Sequence, residues 1–222
     1  YDTDWLDAIT RTAFTHNHDV QISGGSATTT YAGNFSYRRA EGVINTSFNE
    51  EMKMNFDISH WFFNDMLKLH LGLIKGYHKD NGLDAADSQI YRQAIMRNPT
   101  EPIYDENGLP YENFGITYYY NPVGLIEERD GEVKHEWSRM HGDITFEPIK
   151  GWQTKLLLST NRSNWHNANF NSSNYQSHRT DGRAGDASHR YDYSRTDLLE
   201  VTSNYRTTFA EKHRFEALVG YS

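Results

Sequence analysis

The chain has 222 residues, a formal charge of −8 from 22 Lys and Arg against 30 Asp and Glu, and no cysteine. Disulfides and thiolate metal sites are excluded, and no block of Lys and Arg offers the basic footprint that a nucleic acid requires. No run reaches the roughly 18 apolar residues of a membrane-spanning helix, so any crossing of a membrane falls to strands.

In chain order, period-two alternation is the dominant signal. His18, Val20 and Ile22 alternate with Asp19, Gln21 and Ser23; a turn is expected at Gly24-Gly25; then Tyr31, Gly33, Phe35 and Tyr37 alternate with Thr30, Ala32, Asn34 and Ser36. Next, Met52, Met54, Phe56 and Ile58 oppose Lys53, Asn55, Asp57 and Ser59. Leu67, Leu69, Leu71 and Leu73 oppose Lys68, His70 and Gly72, with Ile74 breaking the polar set. D-A-A-D-S-Q-I-Y-R-Q-A-I-M-R-N-P reads as a helix inside a long loop, with Ala86, Ile90 and Ala94 at four-residue spacing, Asp84 or Asp87 as its cap and Asn98-Pro99 as its stop.

Beyond that loop, Met140, Gly142, Ile144 and Phe146 oppose Arg139, His141, Asp143 and Thr145. Trp152, Leu156 and Leu158 oppose Gln153, Lys155 and Ser159, with Leu157 an exception. Leu199, Val201 and Tyr205 oppose Glu200, Thr202 and Asn204, and Phe215, Ala217, Val219 and Tyr221 close the series. About eight antiparallel strands result. Every second connection is short (S-G-G-S-A, W-F-F-N-D-M, E-P-I-K-G-W, F-A-E-K-H), while those near 39–49, 79–131 and 165–188 are long.

Short turns at one end and large loops at the other are the pattern of outer-membrane barrels, in which the apolar set faces lipid and the polar set faces the lumen. A closed, fully paired sheet leaves no backbone group unsatisfied in hydrocarbon. Tyr31, Trp61, Phe62, Phe63 and Trp152 are expected to form a girdle at the short-turn ends, and Tyr37 and Tyr77 one at the opposite ends. Arg38, Lys53, Asp57, Lys68, Asp143, Lys155 and Glu200 are the expected polar lumen wall. A soluble antiparallel sheet with one wet face explains the alternation but not the loop asymmetry.

Chemistry is sparse. His16 and His18 share a strand face but lack a third metal ligand, and K-D-N-G-L-D-A-A-D and Y-D-E-N-G lack the full spacing of a calcium loop. No G-x-S-x-G occurs and no phosphate-binding loop is present, so catalytic residues, cofactors and metals are not expected. Tyr118, Tyr119, Tyr120, Trp137 and Trp165, on or near the long loops, are the candidate ligand contacts through stacking on sugar rings, the alternative being that they pack the loops together.

The segment T-D-W-L-D-A-I-T-R-T-A-F-T-H-N-H-D-V-Q-I-S-G-G-S-A-T-T-T-Y-A-G-N-F-S-Y, followed by E-G-V-I, resembles the early barrel region of SusC/RagA-type TonB-dependent transporters. A-I-M-R-N-P-T-E-P-I-Y-D-E-N-G, Y-Y-N-P-V-G-L-I-E-E and P-I-K-G-W are similar to later elements of that family. The resemblance implies a 22-stranded, plugged barrel. It also implies a Gram-negative outer membrane, energy from the TonB complex, a SusD-like surface lipoprotein as partner, and oligosaccharide or peptide cargo. On that basis residues 1–222 are expected to be part of the barrel domain, with the plug and N-terminal domains outside this chain. Two alternatives stay open: a complete eight-stranded barrel acting as anchor or adhesin, which requires the strands near Val20 and Val219 to pair, and a secreted carbohydrate-binding β-sandwich.

Overall fold

The computed structural model describes residues 1–82, 87–116, 118–210 and 212–222. Eight strands form one antiparallel sheet in sequence order: β1 Thr15–Gly25, β2 Thr29–Glu41, β3 Phe48–Phe62, β4 Leu67–Asp80, β5 Arg129–Ile149, β6 Trp152–Asn171, β7 Asp186–Phe209 and β8 His213–Tyr221. Four short helices lie outside it: α1 Trp5–Ile9, α2 Asp87–Met96, α3 Pro122–Glu127 and α4 Gln176–Asp181. Helix α2 is where the four-residue spacing places it; Asp84 and Ala86 lie outside the described residues.

Register puts the apolar set of each strand on one face. Tyr31 faces Ile58, Phe35 faces Met54, Ile58 faces Leu71, and Leu69 faces Ile144. Further along, Leu158 faces Leu199 and Leu156 faces Val201. The face is bare: Val20 is 63% exposed, Leu71 48%, Met140 55% and Leu158 52%. No second layer of the described chain covers it, which removes the sandwich, and β1 and β8 do not pair, which removes the closed eight-stranded barrel. An uncovered apolar face opposite a polar one is what a barrel wall presents to hydrocarbon. Strands of ~10 residues suffice to cross. β5, β6 and β7, with 21, 20 and 24 residues, therefore rise well beyond the bilayer on the long-loop side.

Two local expectations are corrected. Gly24 and Gly25 are the last residues of β1, not the turn, which follows them. Gly24 lies opposite Tyr31, and a Cβ there would run into the tyrosine ring, so the glycine makes room for an aromatic on the neighbouring strand. Trp61 does not join the girdle. It pairs with Lys68 across β3 and β4 on the polar face, and the Lys68 ammonium sits 4.9 Å from its ring centroid. Tyr31, Phe62 and Trp152 do point to the apolar side, as their partners Ile58, Leu67 and Tyr205 show.

The buried apolar core lies at the loop end rather than under the sheet. Trp5 and Ile9 of α1 pack with Ile44, Ile90, Ala94, Val123, Leu125 and Ile126. Helix α1 has too few residues to show periodicity; its signal is the cap, Asp4, whose carboxylate accepts from the Leu6 and Asp7 N–H groups at 3.0 Å. Ile9 and Ile90 are fully buried, each contributing about 1.5–3 kcal/mol. This cap pins the N-terminal segment across the long loops.

The two faces make opposite demands. Leu71→Arg, in mid-strand on the apolar face, is expected to destabilise the folded barrel in lipid vesicles by about 2–4 kcal/mol, whereas Asn34→Arg on the polar face should cost less than about 1 kcal/mol. Urea unfolding of the two variants side by side checks this. Equal costs would contradict the assignment of faces.

Candidate functional site

Arg38, Lys53, Asp57, Lys68, Asp143, Lys155 and Glu200 all sit on the face opposite the apolar set. The structure brings three of them together, Asp57, Asp143 and Lys155, through His70 and with His141 alongside. Lys53 instead pairs with Glu51 at 3.2 Å, and Lys68 is taken up by Trp61. Arg38 on β2 and Glu200 on β7 lie outside the cluster.

Asp143 is its anchor. Only 6% exposed, it places Oδ1 3.3 Å from Lys155 Nζ and Oδ2 2.8 Å from His70 Nδ1. The other nitrogen of His70, Nε2, is 3.3 Å from Asp57 Oδ1. His141 meets His70 edge-on, with ring centroids 5.1 Å apart. Gly72, opposite His141 on β4, makes the space: a Cβ there would strike the His141 ring and fall 2.9 Å from Asp57 Oδ1. Asp57, His70 and His141 each present one ligand atom, and these atoms lie within 4.8 Å of one another.

Further toward the long loops the same face carries rings. His135 and Trp165 stack at 4.0 Å with planes 12° apart, and Trp137 lies opposite Gly76, where a Cβ would collide with the indole. Trp137 pairs with Ser163 and His135 with Trp165, so the two tryptophans are diagonal cross-strand neighbours on β5 and β6. The three tyrosines differ. Tyr118 is 70% exposed. Tyr119 lies beneath the Arg97 guanidinium at 4.6 Å, with its hydroxyl accepting from the Asn98 N–H, and Tyr120 packs against the cap core.

No family model matches the chain. It is 29% identical over 225 residues to TonB-dependent receptor P26 of Formosa agariphila, an alignment covering 99% of this chain and 22% of that protein. It is 30% identical over 137 residues to TonB-dependent receptor SusC of Bacteroides thetaiotaomicron, covering 61% of this chain and 13% of that one. The solved RagAB peptide transporter superposes with a TM-score of 0.75 at 22% identity, over 99% of this chain and 25% of that chain. The RagAB peptide importer in its open-open state gives a TM-score of 0.76.

The chain is similar to TonB-dependent receptors of the SusC/RagA type and shares the fold of their barrel wall. It spans about a fifth of the first relative's length. Several of the residues that carry the SusC/RagA likeness prove to be parts of the loop cap. Thr3 Oγ1 donates to the Glu101 carbonyl at 2.8 Å, Trp5 Nε1 donates to the Asn98 carbonyl at 3.0 Å, and Arg11 reaches the carbonyls of Gly42 and Ser47. In N-P-V-G, fully buried Asn121 caps α3 through the Val123 N–H, and Pro122 fills the first helical position.

Arg97 holds this cap together. Its side chain is fully buried, with Nη1 3.4 Å from Glu112 Oε2 and Nη2 donating to the Tyr111 carbonyl at 2.8 Å. Nε lies 2.8 Å from Glu101 Oε2, close enough for an ion pair though off the donor axis. The Glu112 carboxylate also accepts from the Asn121 N–H at 3.0 Å. Burial pushes the Glu112 carboxyl above its ordinary range, more strongly than the Asn121 N–H and the Arg97 charge pull it back.

The pH consequence has a definite sign. The folded cap holds the Glu112 proton more tightly than the unfolded chain does. The resulting contribution to stability is therefore fully present below pH 4.5 and declines as pH rises through the raised value. Hydrogen exchange of residues 118–127, corrected for intrinsic rates, should show protection falling as pH rises above 4.5. Glu112→Gln should flatten the profile. Arg97→Met leaves buried carboxylates unpaired and should loosen the cap by about 3–5 kcal/mol at neutral pH. Unchanged protection in Arg97→Met would contradict this role.

Proposed function

We propose that this chain forms part of the barrel wall of an outer-membrane transporter that imports oligosaccharides into a Gram-negative bacterium. In this reading, residues 1–222 belong to the barrel domain, and the plug, through which the TonB complex supplies energy, lies outside the chain. A SusD-like surface lipoprotein sits over the long loops as the partner that delivers cargo. The observation that carries the reading is the division of the sheet: a bare apolar face, a polar face with charged and aromatic residues, tight turns at one end and a structured cap at the other. Such a wall fits lipid on one side and a wet passage on the other. The similarity to SusC/RagA-type receptors supports the same class of function.

The platform of Trp137, His135 and Trp165 supports a sugar cargo, because flat rings beside polar groups suit the alternating apolar and hydroxylated surfaces of a glycan. Tyr118, exposed on the longest loop, is a further contact candidate. Tyr119 and Tyr120 would act indirectly, by shaping the cap. Arg38, Lys53, Asp57, Lys68, Asp143, Lys155 and Glu200 would then line the lumen. A peptide cargo is the second reading, favoured by the fold shared with RagAB, whose structures are those of a peptide importer.

Binding separates the two. The full receptor with its lipoprotein partner, reconstituted in lipid, is titrated with a glycan library and with mixed short peptides. An oligosaccharide ligand whose affinity drops about 5- to 30-fold in Trp137→Ala and Trp165→Ala supports the first reading. Saturable binding of peptides alone supports the second. A receptor that fractionates outside the outer membrane contradicts both.

A further inference from the structure

We propose that Asp57, His70 and His141 form a binding site for a divalent transition metal ion on the polar face of the wall, with Asp143 and Lys155 as its supporting shell. Among the described residues this is the one place where three such groups converge. One aspartate oxygen and two imidazole nitrogens form a donor set suited to zinc, nickel or copper rather than to calcium or magnesium.

Three features separate the cluster from an ordinary ion-pair network. First, His70 is oriented as ligand histidines are. Its Nδ1 is 2.8 Å from Asp143 Oδ2, and in the tautomer that donates to Asp143 its Nε2, 3.3 Å from Asp57 Oδ1, is free to ligate. Lys155 balances the charge of Asp143 from the other side at 3.3 Å, leaving Asp143 in a supporting role. Second, His141 Nδ1 is buried and has no hydrogen-bond partner, a demand that coordination to a metal would meet. Third, Gly72 sits where any larger residue would drive His141 and Asp57 apart.

The spacing is close to what a metal needs. Ligand atoms about 2.1 Å from a tetrahedral zinc ion stand about 3.4 Å apart. The His70–Asp57 pair is already at 3.3 Å, and the remaining separations, all within 4.8 Å, need at most about 1.4 Å of closure, which side-chain rotation can supply. Three protein ligands leave the fourth position open, as in zinc sites that take up water or an exchangeable ligand. The pairs His16–His18 and His166–His189 are also close, at 3.2 Å and 2.5 Å, but neither belongs to a converging set of three.

The site does not depend on which cargo the receptor carries, and it is tested with zinc alone. Calorimetric titration of the full, metal-stripped receptor with Zn²⁺ should show one saturable equivalent that disappears in His70→Gln and in His141→Gln. Asp143→Asn should keep the stoichiometry while weakening affinity about 10- to 100-fold. His16→Gln and His189→Gln should leave that equivalent unchanged. Cobalt substitution gives a second readout, a visible absorption band lost in the same variants. Each variant is first shown to be folded by its heat-modifiable mobility. Absence of saturable zinc binding in the wild type, or an equivalent that survives in folded His141→Gln, overturns the proposal.

Discussion

Everything in this chain answers to one constraint: a backbone placed in hydrocarbon must satisfy its hydrogen bonds within the sheet. The strands therefore pair with their neighbours in sequence order, β2, β3, β4 and β6 along nearly their whole length on both sides, while β7 pairs with β6 over Asp186–Tyr205 and with β8 over Val201–Phe209. Because the side chains of a strand alternate, the same ladder divides every residue between two environments, and the register carries that division from strand to strand. The face that would collapse onto a core in a soluble sheet stays bare here. What remains free to vary is the polar face and the loops, and the distinctive chemistry lies there.

The loop cap shows the complementary principle. Freed from lipid, residues 1–14 and the connection after β4 build a small aqueous core around Trp5, Ile9 and Ile90, and place a buried arginine between two glutamates and several rings. Such an arrangement is sensitive to the loss of any one partner. A cap of this kind holds loop aromatics at defined positions, which a flexible loop does not.

The wall was legible in the sequence because period two is a strong signal and because tight and long connections alternate. The misses have local causes. A Gly-Gly pair reads as a turn, yet Gly24 exists to admit the ring of Tyr31, a cross-strand relation invisible along the chain. Trp61 stands in a run of three aromatics where the alternation loses phase, and only pairing with Lys68 assigns its face. Helix α1 has no period to detect, although Asp4 before Trp5 was a cap in plain view. The histidine cluster is the deepest omission. His70 and Asp143 are 73 positions apart, and the intervening helical loop gives no hint that β4 and β5 will align them. Along the sequence His70 and His141 stand out only as members of the polar alternation.

These 222 residues hold no cysteine, so single cysteines introduced along β4 of a receptor otherwise freed of cysteine give the most direct measurement. Spin labels at positions 67 to 71 and 73 of the full receptor in bilayers report access to oxygen, which concentrates in lipid, and to a water-soluble nickel chelate. Labels replacing Leu67, Leu69, Leu71 and Leu73 should favour oxygen, and those replacing Lys68 and His70 the chelate, alternating from 67 to 71. A profile without alternation, or one of opposite phase, would contradict a wall whose apolar face meets lipid.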